Sequence, residues 1–453
     1  MTATLDLSLI PPLGAPRPQP VPAATETTLA NGLRVVVVPR PGVPLIELRL
    51  RVPFAAPDLD TAEQHSAEAS VLSGAVLLGT ASHDQTGIAQ LLQGHGAEMS
   101  VSADSDRLLF GTTLLPDGLR PVLGVLAELL TAATYPAEGV EGERDRLVER
   151  ITIARSQPSV LARAALSARR YPGHPYAISL PDPAAVGAVT GTGLLELHAA
   201  RVLPAGSTLV LVGDLDPAGA ADAVAEALAG WTAGGTALES APAAARHDPV
   251  LELVDRPGAV QSNIRLGGPA PGRTDPDLAA VRLAAMVYGG YFSSRLVENI
   301  RERRGYSYSP RSAVEHLAAA SSVLVEADVA TEVTGPALME TVYELGRMAL
   351  TPVTEAELDA ARRYVLGSMA LSTATHAGLA STLAALVGAG LPVGWLAEHQ
   401  QALEAVTVDQ VQDVSRRYLA PGALTAVVVG DAEVAEAQLA VLGPLTVRRE
   451  AQA

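Results

Sequence analysis

Nine histidines are the residues best able to bind a metal or move a proton in this chain of 453 residues. Two of them begin a His-x-x-Glu pattern, at His65 and at His95, which is half of the His-x-x-Glu-His sequence that binds zinc on a helix. The fifth position is Ala69 in one case and Met99 in the other, so neither pattern supplies a second imidazole. We interpret both as ordinary surface pairs, and no other two histidines stand at helical ligand spacing.

Composition excludes several other kinds of chemistry. The chain has no cysteine, so disulfides, thiolate nucleophiles and cysteine-ligated zinc or iron–sulfur sites are excluded. Its formal net charge of −17 argues against a general nucleic-acid binder, although all 32 basic residues are arginine. No Ser/His/Asp order, phosphate-binding loop or carboxylate pair stands out that would make the chain an autonomous enzyme of another class.

A group of arginines and tyrosines is the remaining candidate. Arg301 lies near the end of a predicted helix over residues 293–304, and Gly305 suits the position just past its last turn. Tyr306 and Tyr308 follow on the next predicted strand. Two interpretations stay open, because cations at a helix C-terminus are favoured by the macrodipole alone and two tyrosines on one strand face can simply be packed.

The periodicity of the apolar residues predicts the elements that would position these side chains. In the first half, strands are predicted over residues 33–39, 45–52, 97–103, 106–115 and 208–212, with helices near 61–78, 85–94 and 217–231 and several more between 117 and 202. In the second half, strands are predicted over 250–254, 260–266, 306–313, 320–327 and 424–429, with helices over 277–287, 293–304 and 433–442 and across most of 335–417. The two halves therefore repeat one order of elements.

Residues as well as elements repeat at the ends of the halves. Val189-Thr190 opens a helix that leads to RVLP and then LVLVGD, and Val406-Thr407 opens one that leads to RYLAP and then AVVVGD, at an offset of about 217 residues. A repeat this long indicates a duplicated domain rather than a solenoid. We predict an α+β fold of two homologous domains, each a mostly antiparallel sheet covered by helices. The predicted parts are a Pro-rich arm (1–27), a first domain (28–231), a linker (232–248) and a second domain (249–446).

Four segments, in this order and spacing, make the chain resemble the pitrilysin/insulinase family of zinc peptidases. They are LANGLRV at 29–35, YPGHPY at 171–176, YGGYFSSRL at 288–296 and IRERRGYSY at 300–308. The resemblance runs from about residue 28 to 442 and is greatest to bacterial members that are similar to the subunits of mitochondrial processing peptidase. It implies a two-domain peptidase fold.

The resemblance also implies that a zinc site has been lost. Active members of the family carry His-x-x-Glu-His on a first-domain helix, with a further glutamate much later in the chain. The corresponding residues 70–74 are Ser-Val-Leu-Ser-Gly, and the distal glutamate falls near Arg150 or at Glu149. We therefore expect no metal and no cofactor in this chain, and no peptidase activity from it alone.

The resemblance further implies that this chain has kept a pair of residues that act at the zinc site of another chain. Arg301 and Tyr308 have the family's spacing for a pair in which the guanidinium holds substrate carbonyls and the phenol stabilises the oxyanion. Gly289, Gly290 and Tyr306 are the implied substrate-binding residues. The expected partners are a zinc-bearing homologous subunit with His-x-x-Glu-His and a peptide substrate, in the cytoplasm.

Several alternatives stay open. The chain is a non-catalytic subunit of a heterodimeric zinc endopeptidase, or a structural or peptide-binding scaffold without a role in proteolysis. Gly289 and Gly290 form a flexible loop that touches peptide, or a tight turn between helices. The strand predicted over 97–103 is a candidate edge for strand addition by a peptide. The net charge suits basic peptides if acidic groups line the chamber.

Overall fold

The computed structural model describes residues 23–232 and 240–449, which build two six-stranded mixed sheets. The strands of the first sheet are β1 (Thr25–Thr28), β2 (Arg34–Pro39), β3 (Ile46–Pro53), β4 (Ser100–Ala103), β5 (Arg107–Leu114) and β6 (Thr208–Gly213). Those of the second sheet are β7 (Leu251–Asp255), β8 (Gln261–Pro269), β9 (Arg311–His316), β10 (Ser321–Ala330), β11 (Thr425–Gly430) and β12 (Leu445–Arg448).

The strand orders confirm the predicted fold class. They are β1-β2-β6-β3-β5-β4 and β12-β7-β11-β8-β10-β9, so five neighbouring strands have the same arrangement in both sheets. In each, the first and last strands of the shared set pair in parallel and the other pairs of that set are antiparallel. The sixth strand differs: β1 precedes its set and pairs antiparallel, whereas β12 follows its set and pairs in parallel.

Helices cover both sheets. In the first half they are α1 (Leu59–Ala75), α2 (Gln85–Gly94), α3 (Leu119–Thr131), α4 (Ala137–Ser156), α5 (Pro158–Arg170), α6 (Pro183–Gly187), α7 (Gly191–Arg201) and α8 (Pro217–Ala227). In the second half they are α9 (Leu278–Ala285), α10 (Thr334–Leu350), α11 (Glu355–Ser372), α12 (His376–Val387), α13 (Trp395–Ala405), α14 (Val408–Tyr418) and α15 (Ala432–Ala440). Two π-helical segments, Met286–Gly290 and Val297–Arg303, follow α9.

The halves exchange one helix each. Helix α5 of the first half packs on β8 and β11 of the second sheet, and α12 of the second half packs on β3 and β6 of the first. The parallel strands are therefore buried on both faces: Val35 and Val37 belong to the first core, while Val36 and Val38 contact α12. This double burial explains why these strands read as unbroken apolar runs rather than as alternating ones.

A polar junction also ties the halves together. Asp106, buried between β4 and β5, accepts hydrogen bonds from the Tyr176 hydroxyl at 2.7 Å and from the Ala318 amide of the second half at 2.9 Å. The Ser240 hydroxyl also donates to Asp106, and the Ala319 amide donates to the Tyr176 hydroxyl at 2.9 Å. The YPGHPY segment is thus part of the contact between the two halves.

Three predicted elements need correction. The strand over 306–313 begins only at Arg311, and the preceding residues form a loop with a single bridge from Ser307 to Val329. The helix over 293–304 is mainly the π-helical segment Val297–Arg303. The end of the predicted arm forms β1, whose polar Thr-Glu-Thr-Thr sequence gave no strand signal, while residues 1–22 lie outside the described part of the chain.

We find no single helix, within the two described ranges, that has both the length and the apolar character to cross a membrane. Helices α11 and α12 meet those criteria only when taken together, and they are bent by 107° where they join.

Candidate functional site

The helix that would carry a zinc motif is intact but has no ligand. Ser70, Ser73 and Gly74 lie three and four residues apart on α1 and share a half-buried stripe. The Ser70 hydroxyl donates to the Ser66 carbonyl at 2.7 Å, and the Ser73 hydroxyl donates to the Ser70 carbonyl at 2.9 Å. Both hydroxyls are therefore satisfied by their own helix, and neither residue type is a usual zinc ligand.

The neighbouring helix α4 supplies no site either. Glu149 and Arg150, where the distal glutamate would fall, are both exposed. The carboxylate that does approach α1 is Glu143: a Cβ added to Gly74 would lie 2.8 Å from its Oε2, and Arg146 pairs with it at 2.6 Å. Among the described residues, no group of three histidines, aspartates or glutamates could hold a metal ion.

His65 does not form the surface pair that its sequence suggested. It is buried, its Nε2 lies 2.7 Å from the Phe54 carbonyl, and its ring packs on Phe54 with centroids 5.1 Å apart. Burial lowers the pKa of His65, so it is a neutral core residue. The apolar residues Ala67, Ala69 and Val71 around Glu68 were a signal for burial, and four of the seven residues from 65 to 71 are buried.

Arg301 lies on the second π-helical segment. The segment ends at Gly305, whose φ of +66° lies in the left-handed region, and the Gly305 amide donates to the Arg301 carbonyl at 3.0 Å. The Tyr306 amide donates further back, to the Ile300 carbonyl at 2.7 Å. Wide helical turns of this kind occur mostly as short interruptions and are frequent at functional sites.

The Arg301 guanidinium is held between two aromatic rings. Its Cζ lies 4.8 Å from the centroid of the Phe292 ring and 4.7 Å from that of the Tyr308 ring. Both distances are within the range of cation–π attraction. Phe292 is 61% exposed and Tyr308 is 79% exposed, so the group lies at the surface. The one ion pair of Arg301 among the described residues is to Glu302 at 3.2 Å, and it is solvent-exposed.

Buried polar groups fix the segment from below. The Asn299 amide donates to Glu340 at 2.9 Å and to Glu344 at 2.8 Å, both buried on α10, and Arg304 pairs with Glu340 at 2.7 Å. These bonds join the π-helical segment to the second core, because α10 packs inside it. The surface group of Phe292, Arg301 and Tyr308 is therefore mounted on a rigid base, as precise positioning requires.

The preceding Gly-rich segment is anchored by an ion pair. Arg295, buried, makes two parallel bonds to Glu357, Nε to Oε1 at 2.6 Å and Nη2 to Oε2 at 2.9 Å. Burial alone would raise the pKa of Glu357, but hydrogen bonds from Arg295 and Thr354 lower it to about 2. Glu357 also completes the capping box of α11 with Thr354, so one carboxylate fixes both elements.

The other predicted substrate-binding residues lie apart from one another. Tyr306 is half-buried against the second core, and only Tyr308 is exposed, because the two lie in a loop rather than on one strand face. Gly289 and Gly290 end the first π-helical segment instead of forming a loop. Gly289 is buried, and a Cβ there would lie 3.0 Å from that of Ser312, whereas Gly290 lines a large cavity.

Phe292 is the residue of this site that sequence reasoning missed. A signal was available, because aromatic residues are only 3% of the chain and there are three phenylalanines. Phe110 lies in a predicted strand and Phe54 two residues past another, and both are almost fully buried. Phe292 instead stands between Gly-rich and Ser-rich sequence, where no core position is predicted.

Two family profiles match consecutive parts of the chain. The one described as Insulinase (Peptidase family M16) matches residues 69–184, and the one described as Peptidase M16 inactive domain matches residues 188–365. The second match includes Arg301 and Tyr308. The first includes the positions at which the zinc motif is missing.

Relatives of the chain carry two kinds of name. A protein of Mycobacterium tuberculosis called an uncharacterized zinc protease is 26% identical over 404 residues, which covers 88% of this chain and 91% of that protein. A protein of Helicobacter pylori called a non-peptidase homolog is 23% identical over 362 residues, covering 78% of this chain and 82% of that protein.

Solved structures show the same fold. A peptidase M16 inactive domain from Pseudomonas fluorescens superposes with a TM-score of 0.82 at 24% identity, covering 94% of this chain and 100% of that one. A protease from Helicobacter pylori superposes with a TM-score of 0.82 at 18% identity, covering 90% of this chain and 100% of that one.

Proposed function

Because the chain belongs to the insulinase family of peptidases, family M16, we propose that it is the zinc-less subunit of a heterodimeric zinc endopeptidase. The observation that carries this proposal is the contrast between two sites. The position of the zinc motif on α1 carries Ser70, Ser73 and Gly74, while the second half presents Arg301 between two exposed aromatic rings. In the proposed enzyme, the partner supplies the metal and this chain supplies the groups around the peptide.

The exposed group suits binding to a peptide backbone. The Arg301 Cζ lies within 5 Å of both ring centroids, and a guanidinium can donate two parallel hydrogen bonds to acceptor oxygens. The Tyr308 hydroxyl has no hydrogen-bond partner among the described residues, and the side chain is 79% exposed. In the proposed assembly Arg301 anchors the substrate, and the Tyr308 hydroxyl donates to the oxyanion that forms when zinc-bound water attacks the peptide.

The names of the relatives support a division of labour within the family. Some similar proteins are called zinc proteases, and one is called a non-peptidase homolog. This chain itself matches the profile described as Peptidase M16 inactive domain over residues 188–365. A zinc-bearing homologue with His-x-x-Glu-His is the partner that would make a complete enzyme.

A peptide-binding scaffold without proteolysis is the second candidate, and one observation favours it. Strand β4 is an edge of the first sheet, as the predicted strand over 97–103 suggested, and it lies beside α1. Its free side can accept an extended peptide by strand addition. Binding there needs neither a metal nor Arg301.

Reconstitution of the pair tests the proposal. The purified chain is mixed with the zinc-bearing M16 homologue of the same organism, and cleavage of a fluorogenic peptide library is measured. We expect activity from the mixture that neither chain shows alone. Tyr308→Phe should lower kcat by about 10²–10³, the usual loss for one oxyanion donor. Arg301→Ala should lower kcat and raise KM, because it removes a ground-state anchor as well.

The controls separate catalysis from folding. Tyr343→Phe makes the same chemical change on an exposed tyrosine of α10 and should leave the rates unchanged. Size-exclusion chromatography reports whether each variant still forms the complex. If the Tyr308 and Arg301 variants assemble and cleave at wild-type rates, the pair has no catalytic role. Metal analysis that finds about one tightly bound zinc per molecule of this chain alone would contradict the division of labour.

A further inference from the structure

A large cavity lies where the two halves meet, on the side of α9 and β9. Its volume is ≈ 1040 Å³, and it is lined by Val38 to Arg40 at the end of β2 and by residues of α9, β9, α11, α12 and α13. This is at the upper end of the range for sites that hold small organic ligands. Phe292, Arg301 and Tyr308 do not line it, so the cavity is separate from the Arg301 group.

The charged side chains around this cavity are almost all basic. Four arginines and two histidines line it, against one glutamate: Arg40, Arg273, Arg282, Arg363, His316 and His399, with Glu404. Glu404 is exposed and accepts a hydrogen bond from Gln400. The net charge of −17 suggested basic peptides on the condition that acidic groups line the chamber, and for this cavity that condition is not met.

The innermost of these cations has no counter-ion. Arg282, on α9, donates from Nη1 to His399 Nε2 at 3.1 Å and approaches the Met369 sulfur at 3.9 Å, and no carboxylate pairs with it among the described residues. A guanidinium has no acceptor, so His399 Nε2 must carry a lone pair and the ring is neutral. The Trp395 ring stacks on the His399 ring, with centroids 4.5 Å apart.

A second arginine and a buried hydroxyl are also unpaired. Arg273 has neither a hydrogen bond nor an ion pair with any described residue, and burial and then the charge of Arg107 lower its pKa. Ser312 on β9 also lines the cavity, and its hydroxyl oxygen is buried without a hydrogen-bond partner. A buried polar group without a partner costs about 1–3 kcal/mol. The fold therefore leaves donors unused at the wall of this cavity.

The pKa values of His316 and His399 reflect the positive charge around the cavity. Burial and then the charges of Arg273 and Arg282 lower the pKa of His316 to about 4, and burial followed by Arg282 lowers that of His399 to about 4. Both rings are therefore neutral near pH 7, and each remains available to a ligand. His316 Nδ1 is already bonded to the Ser321 hydroxyl at 2.7 Å, which leaves its Nε2.

We propose that this cavity binds an acidic peptide segment, whose carboxylates pair with Arg273 and Arg282 while its apolar side chains fill the remaining volume. An anion is required to neutralise two unpaired guanidinium groups, and carboxylates match their geometry. Apolar residues complete the wall and favour an amphipathic ligand over a small inorganic anion: Val38, Leu278, Met286, Leu366, Leu386 and Leu396. The peptide character of the ligand rests on the proposed function, and the preference for carboxylates does not.

Direct binding to the isolated chain tests this without any partner or turnover. An acetylated, amidated peptide of alternating glutamate and leucine is titrated at low ionic strength by isothermal titration calorimetry, with its glutamine counterpart as reference. We expect the glutamate peptide to bind at least about tenfold more tightly. Arg273→Gln should weaken it by about 10- to 100-fold, the usual range for a lost charged hydrogen bond. Quenching of Trp395 should report the same titration.

The matched control is Arg120→Gln, which makes the same charge change on an exposed residue that pairs with Glu226 away from the cavity. It should change affinity by less than about twofold. Thermal unfolding of Arg273→Gln should resemble wild type, since no described residue bonds to that side chain. The proposed site is wrong if the glutamate and glutamine peptides bind equally well, or if Arg273→Gln and Arg120→Gln weaken binding equally. If glutarate binds as tightly as the peptide, the proposed peptide ligand is wrong and the cavity is instead a site for small dicarboxylic acids.

Discussion

The two halves of the molecule share one fold and differ in what their first helical unit presents. In the first half, α1 follows β3 and ends in Ser73 and Gly74, whose surroundings contain no ligand set. In the second half, α9 follows β8 and continues into the two π-helical segments, which present Arg301 and its two rings. The helical region between the two sheet hairpins thus carries no ligand set on α1 in the first half, and a partly exposed cation on the second π-helical segment in the other.

The contrast between α1 and the Arg301 group separates features that the fold requires from features that it does not. Removing ligands from α1 leaves no unsatisfied group, because the Ser70 and Ser73 hydroxyls bond to their own helix. Phe292 and Tyr308 are mostly exposed, so the small part of each ring that is buried contributes little to the free energy of unfolding. Packing explains the first site and does not explain the second. The proposed function, in which this group acts on a peptide at the partner's site, would explain it.

The largest expected effect concerns the exchange that makes the halves one unit. Leu383 of α12 is fully buried against the first sheet with Val36 and Val210. Leu383→Ala should lower the free energy of unfolding by about 2–5 kcal/mol, as for other buried leucines. Leu371→Ala, on an exposed residue of α11, should change it by less than about 0.5 kcal/mol. Urea denaturation followed by circular dichroism measures both.

The shape of the transition sharpens this test. If the exchanged helices couple the halves, the Leu383 variant still unfolds in one step, because α12 is covalently part of the second half and α5 of the first. Two separated steps, with only the first half destabilised, would show that the halves are independent domains that merely touch.

Sequence patterns predicted the strand order better than they predicted the candidate site. Apolar runs and the repeated Gly-Asp endings located nine of the strands, because buried β-strands leave strong local signals in the sequence. The strand proposed over 306–313 failed, since Tyr306, Tyr308 and their neighbours have strand-like composition but are held as a loop by bonds back to Ile300. These bonds depend on the π-helical turn, and no residue type in the sequence predicts such a turn.

The basic cavity was invisible for another reason. Its arginines come from both halves of the chain, and the contact of the two halves brings Arg40 to the same cavity as Arg273 and Arg282. A net charge of −17 even suggested the opposite sign. Overall charge describes the whole surface, whereas a cavity is charged by the few side chains that converge on it.

A moderate effect is expected when pH is lowered, and the two histidines of the basic cavity contribute to it. His399 and His316 have a pKa of about 4 in the fold, against about 6.5 in an unfolded chain. Between those values the unfolded chain binds more protons, so the free energy of unfolding falls as pH drops from 7 to 5. The contribution of His399 is about 1–2 kcal/mol, and the two sites titrate as a coupled pair.

His399→Gln isolates this contribution, because glutamine keeps an acceptor for Arg282 and cannot be protonated. Its stability should depend less on pH than that of the wild type. His198→Gln is the control in the first half, where burial lowers the pKa of a histidine bonded to Tyr135 and Leu130. That variant should lose stability at pH 7 as well. An unchanged difference between pH 7 and pH 5 in His399→Gln would contradict the assignment.

The smallest expected effect comes from one ring of the Arg301 group. Phe292→Leu removes one of two cation–π contacts and leaves the other, with Tyr308, in place. Such a contact at an exposed site is worth about 0.5–1 kcal/mol, which corresponds to about a two- to fivefold change. Because Phe292 orients Arg301 and donates nothing to an oxyanion, the change should appear in KM of the reconstituted pair, with kcat nearly constant. Tyr343→Leu, an exposed aromatic of α10, should alter neither constant. A loss in kcat comparable to that of Tyr308→Phe would mean that the ring acts in the transition state, and an unchanged KM would mean that Tyr308 alone is enough to hold the guanidinium.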